Sequence, residues 1–150
     1  MKITYNFDKH ISRNEIILSA HPSNSRICDH VKIKLLEMFQ FIHVYDDQNN
    51  MYPIPLISIL YIEIVDRRIF VYTKDNQYTI HMTSLKEFQR KIKNKDFYRI
   101  SHSVLINKNC IVSMRIIEDK KRLLLLTNGE HLEVSREYSS HIDQLVFHLR

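Results

Sequence analysis

Three patterns in the sequence predict a mainly β protein with short helices, α+β overall. Short apolar segments alternate with polar turn residues along most of the chain after residue 50. Asn128 and Gly129 join two such segments and supply the positive φ that a type I′ hairpin turn needs. A few other stretches carry apolar residues at helical spacing instead. The hydrophobic content of 44% is that of a globular chain, and 150 residues suffice for one compact domain with an extension.

The N-terminal part of the chain is predicted to form a small unit of strands and one helix. Residues 2–7 and 14–20 have the pattern of strands, and residues 41–45 have that of a further short strand. A helix is predicted before this last strand, because four apolar residues lie on one helical face: Ile27, Val31, Leu35 and Met38.

A polar loop at residues 46–50 predicts the boundary of this unit. The chain is thereby divided into an N-terminal extension, residues 1–45, and a second unit, residues 46–150. The second unit opens with Tyr52-Pro53-Ile54-Pro55, which is predicted to be an edge strand, because proline cannot donate to a central ladder.

The second unit is predicted to consist of hairpins and two helices. Its apolar segments predict strands at residues 57–65, 69–73, 78–82, 97–101, 103–107, 111–117 and 122–134. Ser84 and Glu87 form a capping box at the start of a short helix, with Ser84 accepting from the Glu87 N–H while Glu87 reaches back. A last helix is predicted from apolar spacing at Tyr138, Ile142, Leu145, Val146 and Leu149.

The net charge of +5 lies entirely in the C-terminal two-thirds of the chain. Residues 1–50 hold six basic and six acidic side chains, whereas residues 51–150 hold sixteen and eleven. This asymmetry suits a domain that binds a polyanion, because neutralising phosphates releases counterions. No apolar run is long enough to span a bilayer, and the N-terminus lacks the apolar core of a signal peptide, so we expect a cytoplasmic protein.

Residue spacing gives no support for an enzyme or a metal site. The nine histidines include no HxH or HExxH, which leaves only His131 and Glu133 as a two-ligand strand face. Ser101 and His102 are neighbours and project to opposite faces of an extended segment, and one glycine cannot build a phosphate loop. Cys28 and Cys110 are expected to be thiols rather than a disulfide. We therefore expect no catalysis, metal or cofactor.

Basic and polar residues recur at strand ends, where short turns could hold them outward together. They are Asp66-Arg67-Arg68, Arg99 to Ser103, Asn107-Lys108 and Ser135-Arg136. Arginine suits DNA recognition because its planar fork donates two hydrogen bonds to guanine or to a phosphate. The alternative is that each of these side chains is solvated and contacts no ligand, since turn residues are usually polar.

Three blocks of this sequence resemble the LytTR DNA-binding domain family. They are YIEIVDRRIFVYTKDNQY, FYRISHSVLINKNCIVSM and RLLLLTNGEHLEVSREY, in the family's order and at its separations. The resemblance covers about two-thirds of the chain. It implies stacked antiparallel β-sheets with a short helix, and loops rather than a recognition helix in successive major grooves of DNA.

The resemblance also implies a set of DNA-contacting residues. Arg67 and Arg68 follow the long apolar strand where the family has a base or phosphate contact, and Arg68 is slightly preferred. His102 takes the position of the main reading residue within a block that departs from the family's R-x-H-R-S at two positions: Ser101 replaces the usual histidine, and His102 replaces the usual arginine. Arg136 matches the arginine after the last strand and is the firmest base contact. Lys108 is expected to bind phosphate, and the neighbouring Asn107 is expected mainly to support a turn.

The resemblance implies a bacterial, response-regulator-like transcriptional regulator whose partner is double-stranded DNA at direct-repeat promoter sites. Two copies per site or a homodimer are expected. The first 45 residues are too short for a receiver domain, so regulation by a membrane-protein partner through this extension is the implied mode of control. An alternative remains open, in which the β domain docks on an acidic protein partner. RNA binding is a weaker third option, which Phe70, Tyr72 and Tyr78 leave open as stacking residues.

Overall fold

A computed structural model describes residues 8–10, 17–38, 40–92, 95–117 and 121–147 of the protein. Contacts between residues divide the chain into two compact units, residues 1–35 and 36–150.

The first unit contains one 3₁₀ turn, Pro22–Asn24, and most of helix α1, Ser25–Met38. The predicted helix is confirmed, and the His21 side chain caps the preceding turn by accepting from the Ser23 N–H. Of its predicted apolar face, Ile27 and Val31 are exposed and Leu35 is half-buried. The strand predicted at residues 14–20 is wrong for residues 17–20, which have no regular structure, and its first part lies outside the described residues, as does the strand predicted at 2–7.

The second unit is built on a seven-stranded sheet in which every neighbouring pair is antiparallel. Its strands are β1 (Phe41–Tyr45), β2 (Met51–Pro55), β3 (Ile59–Val65), β4 (Arg68–Thr73), β5 (Gln77–Ile80), β6 (Phe97–Arg99) and β7 (Val104–Asn107). Their order across the sheet is β2-β1-β5-β4-β3-β7-β6. The proline-containing β2 lies at an edge, as predicted, and β1 pairs with both β2 and β5 although it precedes the loop at 46–50.

A second, three-stranded sheet and two helices complete this unit. The sheet has the order β10-β9-β8, with β8 at Ile111–Ile116, β9 at Arg122–Leu126 and β10 at His131–Val134. Helix α2 is Leu85–Ile92 and helix α3 is Ser139–Phe147. The predicted Leu149 lies outside the described residues. The predicted class, mainly antiparallel β with short helices, is confirmed.

The centre of the large sheet is buried on both faces, and each face carries its own hydrophobic core. On one face Ile62 and Leu105, which are paired across β3 and β7, pack with Phe88 of α2. On the other face the next pair, Tyr61 and Ile106, packs with residues of the small sheet and α3, which are Leu124, Leu126, Val134 and Ile142. Successive residues of a strand point to opposite faces, so β3 and β7 carry apolar residues at consecutive positions rather than at alternate ones.

The two-residue hairpin turn with positive φ lies at a different position from the one predicted. Asn128 does not have positive φ, so the predicted type I′ turn at Asn128-Gly129 is wrong. Gly129 has φ +87°, and its N–H donates to the Leu126 carbonyl, which gives a type I turn closed by a left-handed glycine. The two-residue turn with positive φ at both positions is instead Asp66 (φ 47°) and Arg67 (φ 65°), between β3 and β4.

Helix α2 begins with a modified capping box. The Glu87 N–H donates to Ser84 Oγ at 3.1 Å, as predicted. The Glu87 carboxylate reaches one residue further back than predicted and accepts from both the N–H and the hydroxyl of Thr83, each at 2.8 Å. These two bonds lower the pKa of the Glu87 carboxyl. The bond from the Glu87 N–H to Ser84 Oγ satisfies an N–H group that a helix start leaves without an intrahelical partner.

The lowered pKa of Glu87 predicts a pH-dependent contribution to stability. A carboxyl whose pKa is lower in the folded state stabilises the fold above its unfolded pKa of about 4.3, and this contribution is lost as pH falls through the folded value. Glu87→Gln keeps an acceptor but cannot ionise. We expect wild type to melt at a higher temperature than Glu87→Gln at pH 7, with the difference shrinking towards pH 3 in circular dichroism.

Asp75→Asn, which removes the same charge from the exposed β4–β5 turn, serves as the matched control for this measurement. A Glu87→Gln difference that stays constant between pH 7 and pH 3 would contradict the assignment.

Candidate nucleic-acid interface

Three segments of the second unit lie at the same end of the large sheet. Strands β3 and β7 are antiparallel with Glu63 opposite Val104, so the end of β3 lies beside the start of β7. The turn at 66–67 and the loop at 100–103 therefore project from this end, and the Ile64 N–H joins them by donating to the Ser103 carbonyl at 2.8 Å. The third segment, residues 135–138, follows β10. We call this end, with its three segments, the loop end.

Arg67 and Arg68 are exposed at the first of these segments. Arg67 holds the second position of the tight turn at φ 65°, where an L-residue other than glycine is under steric strain, whereas Arg68 is the first residue of β4. The turn has only two residues, so both guanidinium groups are carried on a short, well-defined hairpin rather than on a long loop.

The loop at 100–103 is fixed by bonds within itself. Ser101 Oγ accepts from the Ser103 N–H at 3.1 Å, and the Ile100 N–H donates to the Val104 carbonyl at 3.1 Å. Arg99 donates from Nη1 to the His102 carbonyl, which uses this arginine to shape the loop. His102 itself projects from the loop with its side chain 83% exposed.

The segment at 135–138 is attached directly to that loop. The Ser135 N–H donates to the Ile100 carbonyl at 2.8 Å, and the Tyr138 N–H closes a 3₁₀ turn on the Ser135 carbonyl at 2.9 Å. Arg136 is exposed on this turn. Arg136 is 36 positions after Ile100 in the sequence. The backbone hydrogen bond between Ser135 and Ile100 brings it to the surface formed by the loop at 100–103.

His102 is contacted by two side chains of this segment. Its Nε2 lies 3.1 Å from Glu137 Oε2, and its Nδ1 lies 3.4 Å from the Tyr138 hydroxyl. The rings of His102 and Tyr138 meet edge to face, with centroids 5.8 Å apart. Both ring nitrogens are therefore engaged across the junction between the loop and the segment.

Lys108 lies at the opposite end of the large sheet, because it follows the last residue of β7. Its Nζ is 2.8 Å from Asp96 Oδ1, with 24% of the Lys108 side chain and 11% of the Asp96 side chain exposed. Asn107 is buried and structural, as predicted: its Nδ2 donates to the Ile59 carbonyl and its Oδ1 accepts from the Asn109 N–H. The role of Lys108 as a phosphate contact stays a prediction. In the structure Lys108 forms an ion pair with Asp96.

Comparison with known proteins identifies the family of this second unit. The sequence model of the LytTR DNA-binding domain matches residues 49–146. The chain belongs to the LytTR DNA-binding domain family. Among solved structures it is similar to the LytTR DNA-binding domain of a methyl-accepting/DNA response regulator from Bacillus cereus, with a TM-score of 0.64 and 26% identity. The match covers 71% of this chain and 95% of that one. No curated protein sequence matches the chain at a significant level.

The LytTR assignment makes the second unit a DNA-binding domain of transcription regulation and confirms the resemblance of the three sequence blocks. No receiver domain is seen in the described part of the chain. Of the five predicted contact residues, the structure brings Arg67, Arg68, His102 and Arg136 to the loop end of the LytTR domain, while Lys108 lies elsewhere. Sequence patterns missed Glu137 and Tyr138, because only tertiary structure reveals that they contact His102.

One further charged pair joins the small sheet of the LytTR domain to its last helix. Arg122 donates from Nε to Asp143 Oδ1 at 3.0 Å and from Nη2 to Oδ2, a bidentate pair that raises the pKa of the Arg122 guanidinium. This arginine is committed to holding α3 on the sheet. A basic residue in the sequence of the LytTR domain is therefore not by itself a DNA contact.

Within the ranges that the structure describes, no group of three or more histidine, cysteine, aspartate or glutamate side chains is arranged to hold a metal ion. Cys28 and Cys110 are both free thiols, and burial raises the pKa of Cys110. None of the described helices is long and apolar enough to cross a membrane.

The strained backbone at Arg67 predicts opposite effects of glycine at two neighbouring positions. Glycine adopts positive φ without steric cost, so Arg67→Gly should stabilise the fold by up to about 1 kcal/mol. Arg68 lies in the strand, where Arg68→Gly should destabilise by roughly 0.5–1 kcal/mol through added chain entropy. Urea unfolding of both variants measures the difference. Equal destabilisation by the two substitutions would show that Arg67 is not strained.

Proposed function

We propose that this protein is a sequence-specific transcriptional regulator that inserts the loop end of its LytTR domain into major grooves at direct-repeat promoter sites. The observation that carries the proposal is the chain of backbone bonds from Ile64 to Ser103 and from Ser135 to Ile100. These bonds hold three segments with exposed basic or imidazole side chains in one fixed arrangement. A site pre-organised in this way loses little conformational entropy on binding.

The residues at the loop end have distinct roles in this proposal. Arg136 reads bases, since its fork can donate two hydrogen bonds to guanine O6 and N7 in the major groove. Arg67 and Arg68 contact the backbone or a base from the tight turn, and phosphate contacts set the position of the domain without reading sequence. The net charge of residues 51–150 adds a sequence-independent attraction to DNA that is weakened by salt.

The Arg136 assignment predicts a specific loss in binding. Arg136→Ala should weaken binding to the native site by about 1–3 kcal/mol and relax the preference at one base position. Arg68→Gln is the comparison: as a phosphate contact from the tight turn, Arg68 should on removal weaken binding to all sequences alike and lower the salt slope by about 1. Fluorescence anisotropy on matched and mismatched duplexes over a salt series measures both. Unaltered affinity and preference in Arg136→Ala would remove it from the interface.

The same salt series separates DNA recognition from docking on an acidic protein. A regulator of the proposed kind prefers one duplex over bulk DNA at every salt concentration, because base contacts add to the phosphate term. A module for acidic partners would bind duplex DNA, heparin and acidic polypeptide alike, with equal loss on adding salt.

We further propose that two copies occupy each site and that the N-terminal unit supports this pairing or the binding of a membrane-protein regulator from the cytoplasm. Helix α1 supports the proposal with apolar side chains left exposed, among them Ile27, Val31 and Ile33. Apolar side chains on one helix favour burial against a partner.

Sedimentation of the full chain without DNA tests the pairing. We expect a concentration-dependent dimer, which Ile27→Lys together with Val31→Lys on the same helix face should convert to monomer while the β-sheet signal in circular dichroism is retained. A wild-type chain that sediments as a monomer at every concentration would exclude dimerisation in the absence of DNA.

A further inference from the structure

Glu137 is an unusual residue for a surface that receives DNA. It follows Arg136 on the turn at residues 135–138, and its side chain is 65% exposed. A carboxylate near phosphates is repelled, so Glu137 lowers affinity for DNA in general. Such a group is useful on this surface only where an acceptor is needed.

The arginines at the loop end supply only donors. Arg67, Arg68 and Arg136 can only donate hydrogen bonds, and they therefore suit guanine and phosphate. Cytosine presents an amino group in the major groove, and an ionised carboxylate is the usual side chain that accepts from it. Asp66 is an exposed carboxylate at the loop end, and it occupies the first position of the tight turn.

The contacts of His102 point to how Glu137 is held. A carboxylate oxygen only accepts, so His102 Nε2, which lies 3.1 Å from Glu137 Oε2, carries a proton and donates to it, while Nδ1 pairs with the Tyr138 hydroxyl. The imidazole then has no polar atom left for a base. Glu137 Oε2 accepts from His102, while Oε1 remains available to a second donor.

We propose that Glu137 is a specificity-determining residue that accepts a hydrogen bond from cytosine N4 in the major groove, and that His102 is its positioning residue. This inference rests on the proposed function and assigns the base-reading atom to the Glu137 carboxylate on the third segment rather than to the His102 imidazole on the second. Tyr138 fixes the ring from the other side. The three side chains join the loop at 100–103 to the turn that carries Arg136.

The test begins with selection of binding sites from a pool of random duplex DNA by the full chain. Duplexes that differ from the selected site at one base pair are then compared by anisotropy. We expect the wild type to favour cytosine at one position by about tenfold or more. Glu137→Gln should abolish that preference and bind unrelated duplexes more tightly, because a repulsive charge is lost. The other positions should keep their preferences.

Asp66→Asn is the matched control, because it removes the same charge at the loop end and asparagine tolerates positive φ. It should tighten binding to all duplexes equally and leave every preference intact. If Glu137→Gln behaves in the same way, Glu137 is only a repulsive charge and the inference is wrong.

Variants of His102 test its positioning role. His102→Phe keeps a ring against Tyr138 but has no donor, so it should lose the same cytosine preference as Glu137→Gln. His102→Gln restores a side-chain N–H and should recover part of it. The double variant His102→Phe with Glu137→Gln should be no worse than either single variant at that position, since both act on one contact. Independent losses at two base positions would show that His102 reads a base itself.

Failure of the proposed function has a different signature. If the wild type enriches no sequence from the random pool, the chain is not a sequence-specific DNA-binding protein, and the inference falls with the proposal. If a site is enriched but contains no position that responds to Glu137→Gln, the regulator stands and only the role of Glu137 is lost.

Discussion

Burial of β3 and β7 on both faces is the constraint on which the rest of the second unit depends. Ile62 pairs with Leu105 and faces one core, while the neighbouring pair, Tyr61 and Ile106, faces the other. Two central strands without a solvent-facing side need a cover on each face of the sheet. Helix α2 covers one face, and the small sheet with α3 covers the other. This double burial explains why the apolar run that contains β3 does not alternate in sequence.

The same layering builds the candidate DNA surface. Packing of the small sheet on the second core places the end of β10 beside the loop at 100–103, where the Ser135 N–H meets the Ile100 carbonyl. The hairpin of β3 and β4 ends at the same edge because β7 is antiparallel to β3. Apolar packing thus sets the spacing of the basic side chains, and the loops themselves only present them. A surface of this kind can change its sequence preference through a few exposed residues without disturbing the cores.

Local sequence patterns predict most of the helices and strands. They fail at turns and helix ends, where more than one local conformation or contact is possible. Nearly every strand of the second unit and all three helices follow from apolar spacing, since burial on a defined face imposes that spacing. Turn composition points to the wrong hairpin for the two-residue turn with positive φ. Asn128-Gly129 has the residue types that such a turn prefers, but Asp66-Arg67 has its conformation. Strand register forces a two-residue connection between Val65 and Arg68, and the backbone adopts positive φ despite the side chains. Likewise, the Glu87 carboxylate accepts from the Thr83 N–H rather than from the Ser84 N–H that the capping box predicts.

Motif spacing and apolar periodicity are local properties of a chain, so the family, the β-rich class and the strand ends that carry basic residues follow from the amino-acid sequence. Which of those residues share a surface depends on the tertiary structure. Arg67, Arg68, His102 and Arg136 meet at the loop end, whereas Lys108 is paired with Asp96 at the other end of the sheet. The contact of His102 with Glu137 also depends on the tertiary structure. Such pairings join residues far apart in sequence, and they exist only once sheet order and packing have brought the two segments together.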